Sequence, residues 1–339
     1  MGVTFYYSDT HGEGVPEKVL DLGNYFHEKF SDEVNVVDAG DRTSNFYDQI
    51  PSSQKNAIIS MKFEQSRILD KIIGQYQNIK YFYLNGNHDP EDLKNATCIK
   101  DNLQKIDGIT HLGVENHGEY PFPGRSDISK VCEMVEKADV VVSHSPTLND
   151  GYKCVESSEE LEKKIREHEP DLFYGHDHGN EFRKYGEKGH ISRISVTKEI
   201  DNPCLTVRVN DEKGDDFYKL SLNSLNDMVN WINPDKEYKS TEEIFQTKIE
   251  QVEKIENYIQ ENYPDFVNKR NNINEEMKKA QTESGAKNYD EFMEYIVKNR
   301  PELKEDLEDM NQTNIRLSKE ALENLNVNND FDEEFQKAA

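Results

Sequence analysis

Residues 81–89 read Tyr-Phe-Tyr-Leu-Asn-Gly-Asn-His-Asp. An apolar run, Tyr81–Leu84, gives way at Asn85-Gly86 to Asn87, His88 and Asp89, side chains that bind cations or move protons. Four apolar residues bounded by a turn signal read as a strand buried on both faces. The chemistry therefore starts where the strand stops. The same arrangement recurs along the chain. Val3–Tyr7 precedes Asp9-Thr10-His11, and Val34–Val37 precedes Gly40-Asp41-Arg42. Val140–Ser143 runs into His144-Ser145, and Leu172–Tyr174 precedes Gly175-His176-Asp177-His178. Strand followed by ligand, repeated in order, is what building a two-metal site on the edge of a sheet requires.

Amphipathic helices are expected between these strands, over Pro16–Phe30, Lys55–Gln75, Ile128–Lys137 and Glu159–His168. Short apolar strands alternating with helices imply a sheet covered on both faces. Open α/β sheets of this kind bind ligands at the carboxyl ends of their strands. Further on, Ile191–Val196, Leu205–Val209 and Phe217–Leu222 are predicted to be antiparallel strands, with Asp211–Asp216 turning between the last two. After Asn223 the chain reads as helical and polar. One apolar stripe (Ile244, Ile249, Val252, Ile255, Ile259) stops before Pro264; another runs Leu303, Leu307, Met310, Leu317, Ala321 in a short heptad pattern. Residues 258–264 and 295–301 resemble one another and read as two helices ended alike before proline. Two regions follow: residues 1–222 as the domain that carries the clusters, and 223–339 as an acidic helical appendage serving as lid, oligomerisation arm or packing module. Residues 326–339 are expected to fray.

The chain has 339 residues, 34% hydrophobic and 32% charged, and a net charge of −26. Such acidity disfavours nucleic acid as a partner, because phosphate backbones are bound with Lys and Arg. Cys98, Cys132, Cys154 and Cys204 form no CxxC pair and suggest four reduced thiols. The N-terminus lacks the charged and apolar regions of a signal peptide, and no run nears the ~18 apolar residues of a membrane span. A cytoplasmic protein with no membrane partner is expected.

A divalent cation accepts carboxylate and imidazole together, and two such ions about 3.5–4 Å apart can clamp an in-line displacement at phosphorus. Such a site needs a bridging Asp, a terminal Asp, several His and an amide oxygen. Asp9, His11, Asp41, Asn87, His144, His176 and His178 supply that set.

The series D-x-H, G-D, G-N-H-D, a lone His and G-H-x-H resembles the calcineurin-like metallophosphoesterase superfamily over residues 1 to about 200. The resemblance implies an α/β fold, a two-sheet sandwich of the metallophosphoesterase type with the C-terminal helical appendage added. It implies one metal held by Asp9, His11 and His178 and a second by Asn87, His144 and His176, with Asp41 bridging. His88 would protonate the leaving oxygen or hold the phosphate while a metal-bound hydroxide attacks phosphorus. The cofactor expected is a pair of divalent metal ions, manganese first, with iron, zinc, nickel or cobalt as alternatives. The substrate expected is a small or nucleotide-like phosphomonoester or phosphodiester. A DNA nuclease resembling the repair exonucleases of this superfamily is the first alternative, and a non-catalytic scaffold the second. The protein Ser/Thr phosphatases carry G-D-x-V-D-R-G, whereas here Asp41 is followed by Arg42-Thr43-Ser44-Asn45. Arg42 could reach a substrate phosphate with its bidentate fork, as a catalytic residue, or could pair a nearby acid. Asp89 is expected to orient the His88 loop. His111 and His117 stand between clusters, where their loop could line the cleft. A homo-oligomer through the C-terminal helices is also open.

Overall fold

Alternation along the apolar runs sorts their side chains into separate cores. Val3, Phe5 and Tyr7 pack with Val34, Val36, Tyr81 and Tyr83 and with the helical residues Val19 and Leu20. Tyr6, Val37 and Phe82 join Val140, Val142 and Phe173 instead. Val141, Leu172 and Tyr174 pack with Val131, Val135, Leu161 and Ile165. Successive residues of a strand point to opposite faces. The second group is therefore the interior between two sheets, and the others are outer layers beneath helices. Strands buried on both faces need no polar alternation, which explains their nearly continuous apolar sequences.

The computed structural model describes residues 2–30, 33–43, 55–90, 92–117, 124–148, 158–176, 179, 181–197, 201–211, 214–286 and 289–325. In chain order its elements are β1 (Gly2–Tyr7), α1 (Val15–Phe30), β2 (Glu33–Asp38), α2 (Lys55–Gly74), β3 (Ile79–Tyr83), β4 (Thr97–Cys98), β5 (Leu103–Ile106), β6 (Ile109–Val114), β7 (Asn116–His117), β8 (Gly124–Arg125), α3 (Ile128–Val135), β9 (Val140–Ser143), α4 (Glu159–His168), β10 (Asp171–Tyr174), β11 (Phe182–Tyr185), β12 (Gly189–Arg193), β13 (Cys204–Asp211), β14 (Gly214–Ser221) and α5 (Leu222–Ile232). Four longer helices follow: α6 (Thr241–Asn262), α7 (Pro264–Ser284), α8 (Tyr289–Asn299) and α9 (Pro301–Asn324).

One sheet has the order β14-β13-β1-β2-β3-β4, the other β11-β12-β10-β9-β6-β5. Strands β1 to β4 are parallel, as are β12, β10, β9 and β6. The antiparallel strands lie toward the edges: β13 and β14 in one sheet, β11 and β5 in the other. Helices cover the outer faces, giving the expected α/β two-sheet sandwich. The sheets touch just past β1. There Ser8 donates its N–H to Ile194 O at 2.9 Å and accepts from Val196 N at 3.0 Å. That bridge sets the residue after it, Asp9, at the rim shared by both sheets.

The β5–β6 hairpin was not anticipated. Its turn is Asp107-Gly108, with φ of +47° and +81°, the left-handed pair that a two-residue hairpin favours. The first compact unit runs to Phe245 and the second from Gln246, so the core extends past the expected boundary at 222. Helix α5 accounts for the difference: Leu222, Leu225 and Val229 are buried in the core over the first sheet, and Ser221 caps the helix by accepting from Ser224 N at 3.0 Å.

In the second unit, Ile255 and Ile259 pack with Leu317 and Ala321, while Ile273, Phe292 and Ile296 pack with Leu303 and Met310. The heptad stripe of α9 is thus shared between two small cores. The matching segments before Pro264 and Pro301 are matching helix junctions. Tyr263 N donates to Ile259 O and Arg300 N to Ile296 O, both at 2.8 Å. Asn262 Nδ2 donates to Tyr258 O at 2.8 Å and Asn299 Nδ2 to Tyr295 O at 3.0 Å. Proline then starts the next helix, where its missing N–H is harmless. Among the described residues no helix is long and apolar enough to cross a membrane. Cys98, Cys132 and Cys204 are unbridged; Cys154 lies outside the described residues.

His111 lies in the core rather than along a cleft. It is fully buried, stacked on Tyr6, with Nε2 2.8 Å from Tyr6 Oη and Nδ1 3.2 Å from Ile109 O. Burial, with Arg208 nearby, pushes its pKa down to about 4. The folded pKa lies below the unfolded value near 6.5, so between those values the unfolded chain binds the extra proton. Stability from this group is full above about pH 6.5 and lost as pH falls toward 4. Wild type is expected to lose roughly 3 kcal/mol more than His111→Phe between pH 7 and pH 4, read by urea unfolding. Parallel losses in both proteins would show that His111 takes up its proton as readily in the folded chain as in the unfolded one.

Candidate metal centre

Each cluster leaves its strand through a sharp turn. Asp9, His11, Asp41 and His176 have φ between +45° and +58°, the left-handed region that non-glycine residues rarely adopt. Each costs about 1–3 kcal/mol and persists only where the surroundings hold it. Here the loops hold one another. Asp9 N donates to Gly40 O and His11 N to Asp41 O, each at 2.9 Å. Asp89 carries much of this register. Its Oδ2 accepts from Gly86 N at 2.9 Å and Asp41 N at 2.8 Å, and its Oδ1 from Arg42 N at 2.8 Å. It thus ties the Asp41 loop to the His88 loop. Two glycines permit the close approach. A methyl group at Gly86 would overlap Asp41 Oδ1, and one at Gly175 would overlap Ser8 Oγ and Asp9 Oδ2.

The loops converge on two sets of ligand atoms that share Asp41. Asp9, His11 and Asp41 form one, and Asp41, His144 and His176 the other, with the atoms of each set within 4.8 Å of one another. His144 is the most telling member. Its Nδ1 lies 3.0 Å from Ala39 O, which fixes Nδ1 as a donor, since a carbonyl can only accept. Its Nε2 then faces Asp41 Oδ2 at 3.3 Å, Asn87 Oδ1 at 3.1 Å and His176 Nδ1 at 3.2 Å. Lone pairs crowded around one point in a buried space need a cation between them, either a proton or a metal ion. Burial opposes a charge on His144, but the Asp41 carboxylate, helped by Asp9 and Asp89, pushes its pKa up to about 10. Burial likewise opposes ionisation of Asp41, and His144, His88 and His11 overcome it, holding the carboxyl well below the usual range. The donor set fits divalent cations.

Further side chains aim the ligands. Asp9 Oδ2 accepts from Ser195 Oγ at 2.7 Å and from Ser8 Oγ, and its Oδ1 from His176 N at 3.0 Å. His88 N donates to Asp41 Oδ1 at 3.0 Å. The His88 ring stands edge-on to His11, with centroids 5.4 Å apart, and its Nε2 lies 3.9 Å from Asp41 Oδ2. Burial depresses the His88 pKa, with Lys62 and His11 adding to it. Of the sequence-predicted ligands, Asp9, His11, Asp41, Asn87, His144 and His176 come together. His178 lies outside the described residues.

Arg42 takes the acid-pairing role rather than the phosphate-reaching one. It is 2% exposed. Its guanidinium donates to Leu84 O at 2.7 Å and Asn85 Oδ1 at 2.5 Å, and lies 3.5 Å from Asp89 and 3.9 Å from Asp38. It also covers the Tyr83 ring. Removing one partner of a buried ionic group leaves uncompensated charge. Arg42→Ala is therefore expected to cost about 3–5 kcal/mol in urea unfolding. An unchanged unfolding midpoint with a raised KM would return Arg42 to the phosphate. Asp38, Ser195 and Lys62 were not anticipated. Asp38 and Ser195 resemble ordinary strand-end residues. Lys62 did leave a signal: with Gln65, Ser66 and Leu69 it occupies the i, i+3, i+4, i+7 face of α2, where apolar residues belong.

The calcineurin-like phosphoesterase family model matches residues 5–180, more than half of the chain, and the protein belongs to this family. The family is metal-dependent and acts on phosphoesters. No curated protein matches the chain. Among solved structures, an archaeal phosphodiesterase aligns at 17% identity over 65% of this chain and 99% of its own, with a TM-score of 0.31. A 5'-nucleotidase from Candida albicans aligns at 14% identity over 74% of this chain and 57% of its own, with a TM-score of 0.39. A protein from Thermus thermophilus, TT1561, aligns at 10% identity over 64% of this chain and 98% of its own, with a TM-score of 0.36.

Proposed function

We propose that the protein is a binuclear metal-dependent phosphoesterase that hydrolyses a small or nucleotide-like phosphomonoester or phosphodiester. The observation that carries this reading is the pair of ligand sets sharing Asp41, with His88 beside the shared carboxylate. Two divalent ions, manganese first, would supply positive charge for the phosphoryl oxygens and lower the pKa of a water toward neutrality. Asp9, His11 and His178 would hold one ion, Asn87, His144 and His176 the other, and Asp41 both. Asp41 would supply negative charge to both ions and so offset their repulsion. Ala39 O keeps the His144 proton on Nδ1 and leaves Nε2 as a ligand. His88, outside both sets, serves as the acid at the leaving oxygen. The net charge of −26 weighs against duplex nucleic acid as substrate. The second unit is assigned no catalytic part.

The test is to strip the protein of metal, add manganese, and assay an aryl phosphate and a bis-aryl phosphate. Hydrolysis of at least one is expected. A folded, metal-loaded protein that hydrolyses neither overturns the proposal. Rapid degradation of linear DNA at low salt, lost in His88→Ala, would move the substrate to nucleic acid.

A further inference from the structure

The metal-ligand set does not explain what stands behind the His88 ring. Lys62, on α2, is 0% exposed, and its Nζ lies 3.0 Å from His88 Nδ1. An ammonium group only donates, so the ring nitrogen facing it accepts. A neutral imidazole with Nδ1 as acceptor carries its proton on Nε2. Nε2 is the atom turned toward Asp41. Burying an ammonium is costly unless it is paired and hydrogen-bonded, and a Met or Leu would fill the same place on α2 at less cost. Gln65 and Ser66 beside it are buried too, so the inward face of α2 is polar for one turn at this site and apolar beyond, at Leu69 and Ile73.

We propose that Lys62 is a positioning residue for His88, holding the ring with Nδ1 as acceptor and the proton on Nε2, facing the metal-ligand set. Its catalytic consequence rests on the phosphoesterase reading; the placement of the proton does not. In the reaction, the oxygen of a water forms a bond to phosphorus as the bond from phosphorus to the leaving oxygen breaks, and the leaving oxygen takes the Nε2 proton. The Lys62 proton moves onto Nδ1, so the ring stays neutral and Lys62 ends as an amine. The proton released by the attacking water balances the one that restores the ammonium.

The direct test is a two-bond proton–nitrogen NMR correlation on protein labelled with ¹⁵N-histidine, both metal-free and zinc-loaded. His88 is assigned by its disappearance in His88→Asn. The expected result is an unprotonated Nδ1 and a protonated Nε2 in wild type, and loss of that preference in Lys62→Met. A protonated Nδ1 in wild type, or the same tautomer in folded Lys62→Met, overturns the proposal. Kinetics give a second readout. With metal content unchanged, Lys62→Met should lower kcat on an alkyl phosphate about 10- to 100-fold, yet change an aryl phosphate with a good leaving group less than about 3-fold. Lys62→Gln, which keeps an N–H donor, should recover part of the loss, and serves as the folded variant should Met at this position unfold the chain. Equal losses on both substrates would mean that Lys62 acts on the fold alone. Should wild type hydrolyse no phosphoester while the NMR shows the expected tautomer, the phosphoesterase reading fails and the placement of the proton stands.

Discussion

Asn in place of Asp41 is expected to lower the bound divalent metal from about two ions per chain to fewer than one, and to remove hydrolysis by roughly three orders of magnitude or more. The substitution keeps the shape. Asn can still accept from His88 N, as Asp41 Oδ1 does, and its own N–H can still donate to Asp89. What changes is the charge. Asp41 belongs to both ligand sets, so one lost carboxylate weakens two sites together. The metal-free protein gives an independent readout. Asp41 is the main force raising the His144 pKa against burial, so His144 should titrate far lower in the variant than in wild type. Metal binding by Asp41→Asn at the wild-type stoichiometry would mean that the ions do not share this residue.

His88→Ala is expected to behave in the opposite way: metal retained, rate lost. A positioned general acid contributes about 10²- to 10⁴-fold, and the loss should fall mainly on kcat and grow as the leaving group becomes more basic. His88 is not a member of either ligand set; its ring approaches Asp41 without joining the close cluster around His144 Nε2. Metal analysis beside the assay separates the two variants. A His88→Ala protein that has lost its metal would place His88 among the ligands. One with full activity on an alkyl phosphate would remove it from the reaction.

Much of this was legible from order alone. The strands that carry Asp9, Asp41, Asn87, His144 and His176 announce themselves because both faces are buried, and these side chains follow because backbone turns only where the strand ends. Val140–Ser143 and Glu159–His168 match the sequence boundaries. The sheet partners were not legible. Whether Tyr6 or Phe5 faces the second sheet depends on register, which an unbroken apolar run does not encode. The β5–β6 hairpin had its Asp107-Gly108 turn in plain view, but its strands, such as Leu103-Gln104-Lys105-Ile106, look polar beside the central ones. The support beneath the site was least visible. Arg42 in the sequence is an arginine beside Asp41, equally suited to phosphate or to an acid. Only the fold turns Asp38, four residues before it, and Asp89, from another loop, onto its guanidinium. Lys62 left only a polar turn on the inward face of α2, and its partner His88 lies on a distant loop.

The central claim is that one carboxylate organises two metal ions at the rim of the sandwich. Its most direct test is an anomalous-scattering map from crystals of the manganese-loaded protein. Two peaks about 3.5–4 Å apart are predicted, one beside Asp9 and His11, the other beside His144 and His176, with the Asp41 carboxylate reaching both. A single peak, or two peaks of which only one contacts Asp41, would contradict the account.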